Sequence, residues 1–132
     1  MKLQGFILSL ILSAGLFPQI VQAYEAGLVE ETCRKAKFTN FSLPEYHAKQ
    51  QREVPAQSSF SLVISPWIDP NSVKLFAKRK PLAFTLLNKN SFYVLTSQLP
   101  AAYNGQFVRL DIQVKALLGC KSQDGWLIKV AN

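Results

Sequence analysis

The chain contains few of the residues that carry most enzyme chemistry. Its 132 residues include one histidine, two cysteines, one methionine and only eight acidic side chains. A serine triad needs a histidine base, and the single His47 lies in a polar stretch without a serine motif nearby. Metal sites need clusters of His, Cys or acidic ligands, and these residues are few in this chain. The six glycines are isolated from one another, so they form no glycine-rich phosphate-binding loop. We therefore expect no enzymatic activity, no catalytic residue, no metal and no cofactor.

Long apolar runs are confined to the N-terminus of the chain. One positive charge precedes an apolar stretch at 6–17, and a small-residue cleavage site ends at Ala23. This order is typical of a secretory signal peptide, and the stretch is shorter than the roughly 20 residues that a membrane-spanning helix needs. We expect a signal peptide at 1–23, with an uncleaved anchor as the alternative, and an exported single domain at 24–132, periplasmic or secreted. Its lead-in segment, 24–37, has room for a short helix, and no later stretch is apolar enough to span a membrane.

The mature chain has two cysteines, Cys33 and Cys120, near its opposite ends. Exported proteins meet an oxidising environment, where a single pair of cysteines is expected to form a disulfide. The bridge would close a loop of 88 residues and join the lead-in segment to the final hairpin. A catalytic thiol served by His47 is the competing interpretation, but neither cysteine has a local catalytic motif.

Alternation of apolar and polar residues predicts strands through the second half of the chain. Along 108–115, apolar residues occupy every second position, which is the period of a strand with one buried face. Residues 45–57 are polar and show no clean period, so we expect a long connection there, with room for a short helix at 47–52. The other predicted strands lie at 38–43, 60–65, 73–78, 82–86, 92–96 and 126–130, the last preceded by a turn at Gln123, Asp124 and Gly125.

The pattern as a whole is one of about seven short strands, with turn signals every 8 to 12 residues and no helical stretch long enough for a βαβ crossover. It predicts an all-β fold, an antiparallel β-sandwich of immunoglobulin-like arrangement. The antibody-type disulfide is missing, because no cysteine lies on the core faces of 60–64 or 108–114. A small closed β-barrel of five or six strands is the alternative fold.

Basic residues outnumber acidic ones, and the excess lies in the second half of the chain. Without Lys2, fourteen basic residues meet eight acidic ones, a net charge of +6. From Ser61 onward, nine basic residues meet only three acidic ones. A field of one sign attracts polyanions or anionic surfaces with a salt-dependent strength, although solubility alone is an alternative purpose.

An aromatic residue among cations marks one candidate binding surface. Phe76 shares the polar face of its predicted strand with Lys74 and Lys78, and cation-flanked aromatics suit polyanion binding. Because exported domains seldom meet nucleic acid, we expect lipopolysaccharide, anionic lipid or an acidic protein surface as the ligand. The alternative is a structural role, in which these lysines protect the edge of a sheet from aggregation and bind no ligand. The predicted basic face comprises Lys74, Phe76, Lys78, Arg79, Lys80, Arg109 and Lys115.

A proline-bounded loop marks the second candidate. Residues 65–70 are expected to present Trp67 and Ile68 between two prolines at one end of the sandwich. Such loops carry recognition in many sandwiches, and tryptophan is enriched at binding hot spots. The alternative is that Trp67 folds back and plugs the end of the core.

These observations favour a non-enzymatic binding module over an enzyme. The first hypothesis is a protein-interaction module, such as a secreted bacterial factor, that binds another protein through the loops at a sandwich end. The alternative is a binder of anionic envelope or surface polymers through the basic face, and a small enzyme comes last. We do not expect nucleic acid among its partners.

Overall fold

Two four-stranded antiparallel sheets make up the part of the chain that the computed structural model describes, residues 33–132. The predicted signal peptide at 1–23 lies outside the described residues, as does the lead-in segment up to residue 32. Within the described part, no helix is long and apolar enough to cross a membrane. The strands are β1 (Phe38–Thr39), β2 (Ser59–Ile64), β3 (Lys74–Ala77), β4 (Lys80–Pro81), β5 (Phe84–Asn88), β6 (Tyr93–Gln98), β7 (Phe107–Lys115) and β8 (Lys121–Lys129).

The order of the strands is that of an immunoglobulin-like sandwich, as predicted. One sheet has the order β1, β2, β6, β5 and the other the order β4, β3, β7, β8. When β4 is treated as an added edge strand, the remaining seven form sheets of the ABED and CFG type found in constant-type immunoglobulin domains. The two sheets are separate over residues 33–132, so the closed-barrel alternative is wrong.

The core lies between the sheets and is built from alternate residues of each strand. Along β7, Val108, Leu110 and Ile112 are fully buried while Arg109 and Gln113 are exposed, so the face predicted for 108–115 is confirmed. The buried apolar cluster comprises Val54, Phe60, Leu62, Ile64, Ile68, Val73, Leu75, Ala77, Leu95, Leu99, Val108, Leu110, Ile112, Val114, Trp126, Ile128 and Val130.

The last hairpin is longer than predicted. We expected a turn at 123–125, but these residues lie inside β8, which begins at Lys121. The turn is instead at 116–120, where Gly119 adopts a φ of +96° and the Ala116 amide donates to the Cys120 carbonyl over 2.9 Å. The Asp-Gly pair resembles a turn locally, yet pairing with β7 keeps it extended.

The segment between β1 and β2 also differs from the prediction. The first strand ends at Thr39, because Asn40 has a φ of +56° and leaves the extended conformation. The expected helix at 47–52 is a single turn. The connection then covers the outer edge of β8, since the Tyr46 amide donates to the Leu127 carbonyl over 2.8 Å and the Val54 amide to that of Lys129 over 2.8 Å.

Cys33 and Cys120 form a disulfide, so that prediction is confirmed. The bridge fastens the residues before β1 to the turn between β7 and β8, away from the centre of the sandwich. Two partly buried serine contacts support the same attachment: the Ala36 amide donates to Ser122 Oγ over 2.8 Å, and the Lys37 amide to Ser65 Oγ over 2.9 Å. The start of the described chain is therefore held against both sheets.

Candidate binding surface

The outward face of β3, β7 and β8 gathers most of the predicted basic residues. Residues that pair across neighbouring strands have their side chains on the same face of the sheet. Phe76 pairs with Asp111 on β7, and Lys74 pairs with Gln113 of the same strand. Because Ile112 between these two β7 positions faces the core, Phe76 and Lys74 face outward.

A shallow groove of about 490 Å³ crosses this face, and Phe76, Arg79 and Arg109 line it together. Gly125 of β8 lies in its lining without a side chain. A Cβ atom at Gly125 would come within 2.6 Å of Asp111 Oδ1 and 2.8 Å of Arg109 Nη2. The glycine therefore lets this pair of charged side chains lie across the neighbouring strand.

Arg109 and Asp111 form an exposed ion pair in this groove. Their Nε and Oδ1 atoms are 3.3 Å apart, and the two side chains are 61% and 36% exposed. An ion pair as exposed as this contributes little to stability. The pair uses one N–H group of the guanidinium, so most of its donors are available to an incoming anion.

Two neighbouring grooves extend the cationic surface towards both ends of the sheet. One, of about 340 Å³, is lined by Lys74, Lys115 and Lys121. The other, of about 510 Å³, is lined by Lys78 and Arg79 together with the apolar side chains of Phe107 and Leu127. We define the basic face by the cations of these three grooves and the aromatic ring between them: Lys74, Phe76, Lys78, Arg79, Arg109, Lys115 and Lys121.

Lys121 belongs to this surface and was missed in the sequence. It pairs with Lys115 across the two strands, so both ammonium groups lie on one face at the end of the hairpin. The turn predicted at 123–125 placed Lys121 in a loop and hid this pairing. The signal that would have revealed it is Gly119, whose position before Cys120 allows the turn to form earlier.

Lys80 does not belong to the basic face, contrary to the prediction. It pairs with Ala77, whose side chain is buried in the core, so Lys80 lies on the core side of the short edge strand β4. An inward-pointing charge on an edge strand protects the sheet from pairing with another chain. For Lys80, the alternative role given above for the lysines, protection of a sheet edge from aggregation, therefore applies.

The turn between β3 and β4 holds two cations in an unusual backbone conformation. Lys78 has a φ of +51° and Arg79 a φ of +69°, within a two-residue hairpin loop that normally favours Asn-Gly. Left-handed backbone costs a residue with a side chain about 1–2 kcal/mol. Strained residues of this kind are often found at functional sites. The Lys78 ammonium donates to Gln106 Oε1 over 2.6 Å, and the Arg79 side chain is exposed at the groove.

The proline-bounded loop exposes fewer side chains for binding than predicted. Ile68 is 1% exposed and forms an isolated β-bridge with Ala116, so it belongs to the core and is not available for docking. Trp67 is partly buried: its indole Nε1 donates to the Lys35 carbonyl over 2.8 Å, and the Arg34 guanidinium lies 3.3 Å from the ring centroid. Trp67 therefore anchors the residues before β1.

Groups suited to metal binding are not assembled in the described part of the chain. Over residues 33–132, no three of His, Cys, Asp and Glu lie close enough together to hold a metal ion. His47 is exposed in the connection that follows β1, and both cysteines are consumed by the disulfide.

No family model and no curated protein matches this chain. The immunoglobulin-like fold hosts many unrelated functions, so its topology alone does not indicate a ligand. The residues that can indicate a ligand are therefore those of the basic face and of the loops at the ends of the sandwich.

Proposed function

We propose that the protein is an exported, non-enzymatic module that binds an anionic polymer or surface through the basic face. The observation that carries this proposal is the sign of the charge. The cations of the basic face meet two acidic residues in the groove lining: Asp111, which is paired with Arg109, and the exposed Asp124 of β8, so the positive charge is in excess. A ligand with many regularly spaced anionic groups would meet several cations at once.

The spacing of the cations suits a repeating ligand better than a single small anion. Neighbouring strands lie about 4.8 Å apart, so cations on β3, β7 and β8 are spread in rows over the face. The grooves between them are open and shallow, and Phe76 offers an apolar contact between the charges. Sulfated or phosphorylated polymers and anionic headgroups combine repeated charge with apolar edges, which matches this arrangement.

The protein-interaction hypothesis has less support, because both residues chosen for it are already engaged. Ile68 is buried, and Trp67 is bonded to the residues before β1. The Cys33–Cys120 disulfide is compatible with export, since such bridges persist in oxidising compartments.

Reversing two charges of the basic face is the direct test. We expect Lys74→Glu with Arg79→Glu to weaken binding to heparin at least about 30-fold, because each cation near an anionic surface contributes about 1 kcal/mol and each reversal adds repulsion. The measurement is the dissociation constant at about 0.1 M salt, together with the salt concentration that elutes the protein from a heparin column.

The matched control reverses two cations elsewhere. Lys49 and Arg52 are exposed in the connection between β1 and β2, and Lys49→Glu with Arg52→Glu makes the same change in net charge. If this control weakens heparin binding as much as Lys74→Glu with Arg79→Glu, the attraction depends on net charge alone and the proposed face is wrong.

The strained turn offers a second test that separates binding from folding. Lys78→Asn with Arg79→Gly places the preferred residues at two left-handed positions, so we expect the free energy of unfolding to rise by about 1–2 kcal/mol. The same variant should bind heparin more weakly, because it removes two cations. Thermal denaturation and heparin elution measure the two effects, and a variant that is more stable yet binds as tightly as the wild type would show that these cations have no binding role.

A further inference from the structure

Three loops of the described chain lie at one end of the sandwich. The connection 65–73 leaves β2 and enters β3. Since β6 and β7 run antiparallel to these strands, the turn before β6 (89–92) and the turn after β7 (116–120) lie at the same end. The disulfide brings residues 33–37 to this place as well. We call these segments together the loop end.

The turn at 116–120 presents two leucines to solvent. Leu117 and Leu118 are each 66% exposed, the highest exposure of any large apolar side chain among residues 33–132. The turn that carries them is braced: the Leu117 amide donates to the Trp67 carbonyl over 3.2 Å, and Cys120 is bonded to Cys33. A braced turn cannot fold these leucines back under the sandwich. Two adjacent exposed leucines at the tip of a hairpin indicate a contact that residues 33–132 do not satisfy.

Cations surround this apolar tip. Lys115 and Lys121 face each other at the base of the turn, and Arg34 lies over Trp67. Lys89 lies in the turn before β6, at the same end of the sandwich but in the other sheet. Among the described residues of the loop end, Asp69 is the only acid, and its carboxylate already accepts the Asn71 amide over 3.0 Å. In the described part of the chain, the tip therefore combines exposed apolar side chains with neighbouring cations.

The acidic residues of the irregular segment lie far from this end. Glu45 and Glu53 belong to the connection that bonds to Leu127 and Lys129, at the other end of β8. Glu53 is 3.6 Å from the Lys129 ammonium, so it compensates a cation there. Within residues 33–132, these two carboxylates therefore do not offset the cations of the loop end.

We propose that the loop end docks on an anionic phospholipid bilayer, with Leu117 and Leu118 entering the boundary between headgroups and acyl chains. This inference rests on the proposed function and specifies its anionic surface. Leucines on a projecting turn can be buried in a fluid apolar layer without a pocket of matching shape. A bilayer has such a layer directly beneath its charged headgroups. The cations around the tip are then at the level of the headgroup phosphates. A second copy of the chain is a poor occupant, because two positive loop ends repel each other.

Replacing both leucines tests the insertion. We expect Leu117→Ser with Leu118→Ser to reduce partition of the full mature chain onto vesicles of 70% phosphatidylcholine and 30% phosphatidylglycerol by about 30-fold, because two apolar contacts are lost. Heparin elution should stay unchanged, since the basic face is intact. Leu87→Ser, which removes a 55% exposed leucine on β5, in the sheet that does not carry the basic face, is the matched control and should keep wild-type vesicle binding.

The outcomes separate this inference from the proposed function. If the wild type binds heparin but not the anionic vesicles, or if the two serines leave vesicle binding unchanged, the proposed insertion of the loop end is wrong. The proposed binding of anions through the basic face is not affected by either result. If the wild type binds neither heparin nor vesicles, the proposed function itself is wrong. Equal binding to vesicles of pure phosphatidylcholine would also contradict the role of the cations. Thermal denaturation of the double serine variant checks its fold, which should be unaffected because both side chains are exposed.

Discussion

Replacing Cys33 and Cys120 together by serine is expected to lower the free energy of unfolding by about 4–5 kcal/mol. The two cysteines are 87 positions apart, so the bridge restricts nearly the whole of the described chain in its unfolded state. The chain-entropy model relates that restriction to stability and sets the magnitude. A loss of this size is a large share of the 5–15 kcal/mol typical of a domain. Urea unfolding of the wild type and the double variant measures it.

The wild type with its disulfide reduced provides a second comparison with the double serine variant. It should unfold at nearly the same urea concentration as the double serine variant, and the variant should not respond to reductant. The serine contacts of Ala36 and Lys37 are independent of the bridge, so the residues before β1 should remain attached once the variant has folded. If oxidised and reduced wild type unfold at the same urea concentration, the disulfide does not have the stabilising role that we assign to it.

Replacing Ile112 by aspartate is expected to leave the chain unfolded. Ile112 is 0% exposed between the two sheets, and an unpaired charge cannot be placed there without a cost that approaches the whole stability of a domain. Its neighbour Gln113 faces outward into the grooves of the basic face. Gln113→Asp, which introduces the same carboxylate one position along, should therefore fold.

Circular dichroism and thermal unfolding distinguish the two aspartate variants. The Gln113 variant should keep the strand signal and a cooperative transition, while the Ile112 variant should lose both. The Gln113 variant should also bind heparin somewhat more weakly, because its carboxylate lies among Lys74, Lys115 and Lys121. Two variants with equal stability would mean that β7 does not separate a buried face from an exposed one.

The faces of the long strands could be predicted because their periodicity is clear. Every second residue along 108–115 is apolar, and a strand has only one way to bury such a set. The disulfide was predictable for a different reason, since the chain contains only two cysteines. Both predictions required no knowledge of which elements become neighbours.

The candidate surfaces depended on short elements, where local patterns are ambiguous. Lys80 follows a two-residue turn, and a shift of one residue in that turn exchanges the two faces of β4. Ile68 is flanked by prolines and polar residues like a loop residue, yet its bridge to Ala116 buries it at the end of the core. Neither outcome is encoded within a few residues of the position concerned.

The sequence by itself determined the all-β class, the buried face of the long strands, the disulfide partners and the sign of the charge. Tertiary structure alone decided that β8 continues through Gly125, that Lys121 joins the basic face, and that Leu117 and Leu118 form an exposed tip. The physical reason is that hydropathy alternation and cysteine pairing are properties of one segment or of composition. Which cations and leucines share a surface depends on the register between strands that are distant in the chain.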